Sequence, residues 1–291
     1  MSMPSDALSY VCHELTVNNE LNNISSWLNV NKLSLNVTKT KFMIFSTPQR
    51  KVFIPNFVID GKSIDCVDSF NFLGVIIDKQ LKWNHHIDNV ANKISKTTGV
   101  IHRLKAFLPP NILIIIYNSL IASHLSYGIL CWGFQNKRLF TLQKKAIRAI
   151  TCSKFNAHTE PLFKYLKLLK LQDIYQLNIL KFYYKFKNNE LPKYFYDGFF
   201  IYAVHVHQHN TRHANKLNKL FVQRYQHEFC NSSLRYSTVK IVNEISENIL
   251  EKILTHSCQG FSSYVKLSVL QSYSEICMIQ NCYICSLSYN N

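Results

Sequence analysis

Five basic residues lie close together between positions 137 and 150 and are the side chains best suited to chemistry in this sequence. They are Lys137, Arg138, Lys144, Lys145 and Arg148. On a helix, at about 100° per residue, four of them share one face and Arg138 borders it. Leu139, Leu142, Ala146 and Ile150 fall on the opposite face. The pattern predicts a helix whose cationic face binds phosphate groups, and the alternative is a cationic face that contacts only water.

The sequence around this predicted helix contains no acidic residue. The 291 residues include 33 Lys and Arg and 17 Asp and Glu, which gives a net charge of +16. Residues 89–159 hold 10 basic residues and no acidic one, whereas residues 1–88 hold 8 of each and residues 160–291 hold 15 basic and 9 acidic residues. Such an excess favours a polyanionic partner, because phosphates relieve the repulsion among the cations. Charge alone does not distinguish RNA, DNA and an anionic membrane.

The sequence lacks the motifs of common catalytic sites. It has no Walker loop, no Gly-rich dinucleotide turn, no His-Glu-x-x-His and no Gly-x-Ser-x-Gly. A two-metal phosphoryl-transfer site needs clustered carboxylates. The nearest acids of this kind, Asp65 and Asp68, have no third carboxylate close to them in sequence. We therefore expect no catalytic residue, no such metal site and no small-molecule substrate bound by this chain alone.

Two other groups of residues are potential metal ligands. They are His205, His207 and His209, and the series Cys277, Cys282 and Cys285 with His256 and Cys258 upstream. Imidazoles and thiolates bind zinc, but the polar neighbours of the histidines indicate a surface stretch, and the three cysteines lack a nearby fourth ligand. We expect buried or free thiols and no bound metal. Nine cysteines without a visible secretory signal favour a reducing compartment, the cytoplasm or nucleus.

The periodicity of the apolar residues predicts the elements that position the basic residues. Helices are predicted over 7–30, from Asn84 to a point before Pro109, over 111–127, 137–150, 171–186, 238–254 and 261–273, and from Thr159 onwards. Three β-rich runs, 42–45, 52–59 and 69–77, predict one small sheet with a turn at Asp60-Gly61. Residues 200–236 are predicted to be irregular. The predicted class is α+β and mainly α-helical, a short amino-terminal sheet followed by a long helical array.

Two apolar segments have alternative interpretations. Residues 111–134 are long enough to span a bilayer, because 16 of these 24 residues are apolar and none is Asp, Glu, Lys or Arg. A polar stripe formed by Asn111, Asn118, Ser119, Ser123 and Ser126 favours a buried amphipathic helix instead. Aromatic and basic residues also interleave over 181–187. Their rings would stack on bases or, as we favour, pack in the core.

A series of segments, in order along the chain, resembles one known family. The segments are Asn22–Phe45, Phe70–Asp78, Leu81–Ile87, Leu120–Gly128 with Trp132-Gly133, Leu142–Arg148, Ala157–Phe163 and Leu191–Phe195. Together they resemble the region that follows the catalytic hairpin in the reverse transcriptases, or RNA-directed DNA polymerases, of jockey-type non-LTR retrotransposons, a class of transposable element. The resemblance covers roughly residues 8–240, and the order of the segments makes it specific.

The resemblance implies a division of the chain and several residue roles. Residues 1–80 correspond to the truncated end of a polymerase palm, residues 81–200 to a helical thumb-like domain, and residues 201–291 to a C-terminal region with two predicted helices. Lys39 falls where the family has a lysine near the incoming nucleotide. Phe72, Leu73 and Gly74 fall where the family's hairpin grips the primer end. The thumb helices would contact the template–primer duplex of RNA and DNA, in agreement with the basic block.

The resemblance also implies that this chain is inactive alone. The family's aromatic-x-Asp-Asp hairpin is absent from the sequence, so Mg2+ would belong to the missing palm and this chain needs no cofactor. The leading hypothesis is a nucleic-acid-binding C-terminal fragment of a reverse transcriptase. The alternatives are a non-catalytic RNA- or DNA-binding protein derived from a retroelement, a single-span membrane protein through residues 111–134, and a decayed reading frame without a selected function.

Overall fold

The computed structural model describes residues 5–47, 49, 53–134, 136–206, 219–223 and 233–274. These residues are mainly helical, with a few short strands in the amino-terminal part. The predicted class, α+β and mainly α-helical, is confirmed. The chain forms two compact units, Met1–Asp88 and Asn89–Asn291. The boundaries at residues 80 and 200 concern polymerase subdomains and stay predictions.

The described residues of the first unit include one long helix and six short strands. The helix is α1 (Ser5–Val30), and the strands are β1 (Lys41–Phe42), β2 (Val58–Ile59), β3 (Lys62–Ser63), β4 (Asp65–Cys66), β5 (Ser69–Phe72) and β6 (Val75–Asp78). The strands form three two-stranded pieces: β1 pairs with β4 in parallel, and β2–β3 and β5–β6 are antiparallel hairpins. The helix predicted over 7–30 is confirmed and packs against β2. The prediction of one small sheet was wrong, because the described strands form three separate pairs.

Two tight turns explain why the hairpins close on themselves. Asp60 and Gly61 have φ angles of 51° and 72°, and Leu73 and Gly74 have φ angles of 49° and 87°. Two successive residues at positive φ form a type I′ turn, whose twist matches that of a two-residue hairpin. Each of these four strands therefore pairs with its neighbour in sequence. The turn predicted at Asp60-Gly61 is confirmed.

The carboxylate of Asp78 organises the chain between the last strand and the next helix, α2 (Asn84–Leu104). It accepts hydrogen bonds from the backbone N–H groups of Gln80, Lys82 and Trp83 at 3.0, 3.1 and 2.7 Å. These bonds satisfy donors that have no partner in a strand or helix. The helix predicted from Asn84 is confirmed, and it ends before the prolines as expected.

The second unit is an array of helices that includes most of α2. The others are α3 (Pro110–Tyr117), α4 (Ser123–Ser126), α5 (Ile129–Trp132), α6 (Lys137–Ile150), α7 (Glu160–Tyr165), α8 (Leu171–Lys187), α9 (Leu234–Glu244), α10 (Glu247–Thr255) and α11 (Cys258–Ser272). The central helix is α8, which packs against α4, α5, α6, α9 and α11. Its side chains Leu180 and Tyr183 are buried in one cluster with Val242, Ile253 and Phe261.

Residues 111–134 do not form one long helix. A π-helical stretch, Asn118–Ala122, connects α3 to α4, and Gly128, at φ 62°, separates α4 from α5. The fully buried side chains follow one another at four-residue steps: Leu113, Tyr117, Ile121 and Leu125. The buried apolar face predicted for this segment is thus confirmed, although the π-helical stretch divides the helix predicted over 111–127, which ends at Ser126. Among the described residues, no helix has both the length and the apolar content needed to cross a membrane.

The aromatic residues of 181–187 belong to the core. Phe182, Tyr183 and Tyr184 are buried. The ring centroids of Phe182 and Tyr183 lie 6.3 and 6.0 Å from that of Phe200. The core-packing interpretation of this segment is therefore confirmed, since these rings are covered by other side chains and not presented to solvent.

The prediction of a single helix over 238–254 was wrong, because two helices, α9 and α10, occupy this region. Ile245 and Ser246 between them are extended, with ψ angles of 152° and 145°. A serine directly before Glu247 is a helix-start signal, which the continuous apolar periodicity of the segment obscured. The helix predicted over 261–273 is confirmed and begins earlier, at Cys258.

Residues 200–236, predicted to be irregular, are described only in part, since 207–218 and 224–232 lie outside the described residues. The described part contains a short 3-10 helix, Ala203–His205, and a bridge between Tyr202 and Leu220. The side chain of Asn243 accepts a hydrogen bond from the Leu220 N–H at 2.9 Å and donates one to its carbonyl oxygen at 2.8 Å. This pair of bonds fixes the segment to α9.

Gln143 joins three parts of the second unit from the middle of α6. Its fully buried side chain donates from Nε2 to the Tyr117 hydroxyl at 2.8 Å and to the Leu169 carbonyl oxygen at 2.9 Å. Its Oε1 accepts from the Leu171 N–H at 2.9 Å. Burial raises the pKa of Tyr117 to about 12, although the hydrogen bond with Gln143 opposes the rise. One amide thus fixes α6 to α3 and to the start of α8.

Replacing Gln143 with leucine should lower the free energy of unfolding by roughly 2–4 kcal/mol, because three buried polar groups would lose their partner. Urea unfolding followed by circular dichroism measures this change. The control is Thr141→Ala on the exposed side of the same helix, which should change the free energy by less than about 0.5 kcal/mol. An unchanged unfolding midpoint for Gln143→Leu would show that these bonds do not hold α6 in place.

Candidate nucleic-acid interface

The helix predicted to carry the basic face is α6, and its bounds, Lys137–Ile150, are those predicted. The side chain of Asn136 accepts a hydrogen bond from the Leu139 N–H at 3.0 Å and so caps the first turn. Leu139, Ala146, Ile147 and Ile150 are buried, and Leu142 is half-buried. The inward face of the helix is therefore confirmed, and the basic residues lie on the other side.

Three of the five basic residues predicted to contact nucleic acid are exposed: Lys137, Arg138 and Lys145. Within the part of the chain that the structure describes, neither Lys137 nor Lys145 forms an ion pair. An ammonium group in water with no carboxylate beside it keeps its full attraction for phosphate. The exposed lysines of α6 are therefore suited to a polyanion.

The other two basic residues, Lys144 and Arg148, are half-buried and make contacts within the protein. Nζ of Lys144 lies 4.3 Å from the centroid of the Phe140 ring, in a cation–π contact. Nε of Arg148 donates to the Ala157 carbonyl oxygen at 3.0 Å, and burial lowers the pKa of its guanidinium group. Arg148 thus holds the turn that follows α6. Helical periodicity could not foresee this contact, because its partner lies outside the helix.

A second exposed basic group, which the sequence analysis did not single out, lies on α2. Lys93, Lys96 and Arg103 are exposed and fall within about 80° of one another on this helix. The pKa of His124 is lowered, first by partial burial and then by the positive charge of Lys93. The absence of acids over 89–159 was the signal that could have identified this group.

The segment predicted to resemble a primer-gripping hairpin forms the tip of a hairpin. Phe72 ends β5 opposite Val75 of β6, and Leu73 and Gly74 form the turn between them. Phe72 and Leu73 are 56% and 75% exposed. The left-handed conformation of Leu73 costs a residue with a Cβ atom roughly 1–2 kcal/mol. An exposed and strained leucine is more typical of a contact site than of a core position, but its contact with a primer stays a prediction.

Lys39 ends a short 3-10 helix, Val37–Lys39, and its side chain is exposed. The side-chain oxygen of Asn36 stabilises this turn, because it accepts hydrogen bonds from the Thr38 hydroxyl at 2.7 Å and from the Lys39 N–H at 3.2 Å. The turn thus holds the backbone of Lys39 in a fixed position. Its proximity to an incoming nucleotide stays a prediction.

The described residues do not form the two-metal centre that phosphoryl transfer requires. No three His, Cys, Asp or Glu side chains in that part of the chain come together in a group able to hold a metal ion. The carboxylates of Asp65 and Asp68 bind Lys41 and Lys79 instead. Five of the potential ligands, His207, His209, Cys277, Cys282 and Cys285, lie outside the described residues.

Comparison with known proteins gives one partial similarity. The chain is similar to the RNA-directed DNA polymerase from mobile element jockey of Drosophila melanogaster, with 27% identity over 128 residues that cover 41% of this chain and 14% of that protein. The chain is a distant, partial relative of a retrotransposon polymerase. The matched region spans about one seventh of the length of the jockey polymerase. No family model matches the chain, and no solved structure matches it significantly.

Proposed function

We propose that this chain is a C-terminal part of a retroelement RNA-directed DNA polymerase and that its helical unit binds template–primer nucleic acid. The observation that carries the proposal is the exposed face of α6, where Lys137 and Lys145 form no ion pair with any residue that the structure describes. The acid-free segment 89–159 supports the same conclusion. The similarity to the jockey polymerase supports RNA and DNA as the polyanions over other candidates.

In this proposal the exposed lysines of α6, Lys137 and Lys145, contact phosphates of the template–primer duplex. Phosphate contacts fix the position of a duplex without reading its sequence, which suits a polymerase that must copy any template. Lys93, Lys96 and Arg103 of α2 offer a second set of phosphate contacts. Gln143, on the buried side of α6, would keep the helix rigid while its outer face binds.

We propose that the first unit is the end of a polymerase palm, with Lys39 near the incoming nucleotide and Phe72, Leu73 and Gly74 against the primer end. The exposure of the hairpin tip supports this role. Nucleotide transfer also requires Mg2+ held by carboxylates, and the sequence contains no adjacent aspartates of that kind. The chain alone would therefore bind nucleic acid in the cytoplasm or nucleus without extending a primer.

Substitution of Lys137 and Lys145, the two exposed lysines of α6, tests the binding site. Lys137→Ala with Lys145→Ala should weaken binding to RNA–DNA duplexes by a similar factor whatever their sequence, because both side chains contact phosphates. The slope of log affinity against log salt concentration should fall by up to about 2, near one per lost contact. Fluorescence anisotropy titrations at several salt concentrations measure both quantities.

The matched control is Lys240→Ala with Lys266→Ala, which removes the same charge from exposed positions on α9 and α11 of the same unit. This variant should keep the salt dependence of the wild-type protein. Equal losses in both double variants would show that net charge, and not α6, governs binding. An unchanged slope in the α6 variant would contradict the proposed contacts.

The missing aspartates predict that the chain cannot extend a primer. Incubation with a primed RNA template, all four dNTPs and Mg2+ should give no longer product on a denaturing gel, under conditions where anisotropy detects the bound template. A complete reverse transcriptase assayed in parallel controls for the substrate. Extension by the purified chain would contradict the proposal that its polymerase active site is incomplete.

A further inference from the structure

The turn that follows α6 presents a phenylalanine to solvent. Phe155 is 89% exposed, the highest fraction among the large hydrophobic side chains that the structure describes. A single exposed apolar residue needs no explanation by itself. What distinguishes Phe155 is the combination of a fixed backbone with a polar and cationic surrounding.

Hydrogen bonds on both sides fix the turn that carries Phe155. The Ala157 N–H donates to the Lys154 carbonyl oxygen at 3.1 Å, which closes a turn with Phe155 at its second position. Nε of Arg148 donates to the Ala157 carbonyl oxygen at 3.0 Å, and the Ser153 N–H donates to the Arg148 carbonyl oxygen at 3.0 Å. The turn is therefore tied to the last turn of α6, and little ordering is needed before the ring binds a ligand.

The surroundings of Phe155 favour a nucleobase over an apolar partner. Lys154, Asn156 and His158 are all exposed, and no acidic residue occurs over 89–159. A membrane anchor or an apolar protein contact uses several apolar side chains together, whereas the sequence neighbours of Phe155 here are polar. A flat ring beside cations is the arrangement with which proteins stack unpaired bases and hold the adjoining phosphates.

We propose that Phe155 stacks on an unpaired base of RNA or DNA whose neighbouring phosphates contact the basic face of α6. This inference rests on the proposed nucleic-acid binding and adds the form of the ligand, a single strand or a duplex with a single-stranded overhang. Arg148 is a positioning residue in this arrangement, because its hydrogen bond to Ala157 holds the turn.

Variants of Phe155 test the stacking contact by anisotropy with single-stranded DNA, single-stranded RNA and a blunt RNA–DNA duplex. Phe155→Ala should weaken binding to the single strands about 5- to 150-fold, the range typical of one stacked base. Binding to the blunt duplex should stay within about twofold. Phe155→Trp should keep the wild-type affinity, and Phe155→Leu should lose as much as Phe155→Ala, since leucine is apolar but not planar. The two single-stranded ligands show which nucleic acid the site prefers.

The matched control is Phe107→Ala, because Phe107 is 83% exposed and lies in the same unit. This variant should bind single strands like the wild-type protein. Three results would each overturn the stacking contact while leaving α6 binding intact. They are an equal loss of single-strand affinity in Phe107→Ala, full single-strand affinity in Phe155→Leu, and wild-type affinity in Phe155→Ala. Binding of the wild-type protein to neutral lipid vesicles that is lost in Phe155→Ala would also overturn it. If the wild-type protein binds no nucleic acid at all, the proposed function fails and this inference fails with it.

Discussion

The buried amide of Gln143 is the contact on which the arrangement of the basic residues depends. It uses both of its donors and its acceptor inside the second unit, so α6 cannot rotate about its axis without leaving polar groups unpaired. A buried polar group without a partner lowers the stability of the fold by more than one hydrogen bond adds to it. This asymmetry keeps one face of α6 inward and holds Lys137 and Lys145 in solvent.

The acids that follow the basic block in sequence are engaged elsewhere. Nζ of Lys170 lies 3.0 Å from Oε1 of Glu160, and the Tyr273 hydroxyl donates a hydrogen bond to the Asp173 carboxylate. Burial raises the pKa of Asp173. Burial also opposes ionisation of Glu160, but its contacts with Lys170 bring the net pKa below its usual value. These carboxylates fix the end of α11 to α7 and α8, and among the described residues neither of them pairs with the exposed Lys137 or Lys145 of α6.

Helices and turns could be predicted from the sequence where the residues of one segment determine them. Features that depend on contacts between distant segments were predicted less well. The apolar spacing of 137–150 predicted both ends of α6. The turn at Asp60-Gly61 was predicted, but the division of the strands into three separate pairs was missed, because strand pairing depends on turn geometry as well as on apolar patterns. The burial of Gln143 and the role of Arg148 were also missed. Both depend on partners in other elements, which periodicity along one helix does not reveal.

Protection of lysines from acetylation is the most direct test of the central claim, that α6 is the surface on which nucleic acid binds. The protein would be treated with an acetylating reagent with and without a saturating RNA–DNA duplex carrying an overhang, and each lysine quantified by mass spectrometry. The account predicts that Lys137 and Lys145 lose reactivity in the complex while Lys240 and Lys266 keep theirs. Protection of Lys240 and Lys266, with Lys137 and Lys145 unchanged, would contradict it.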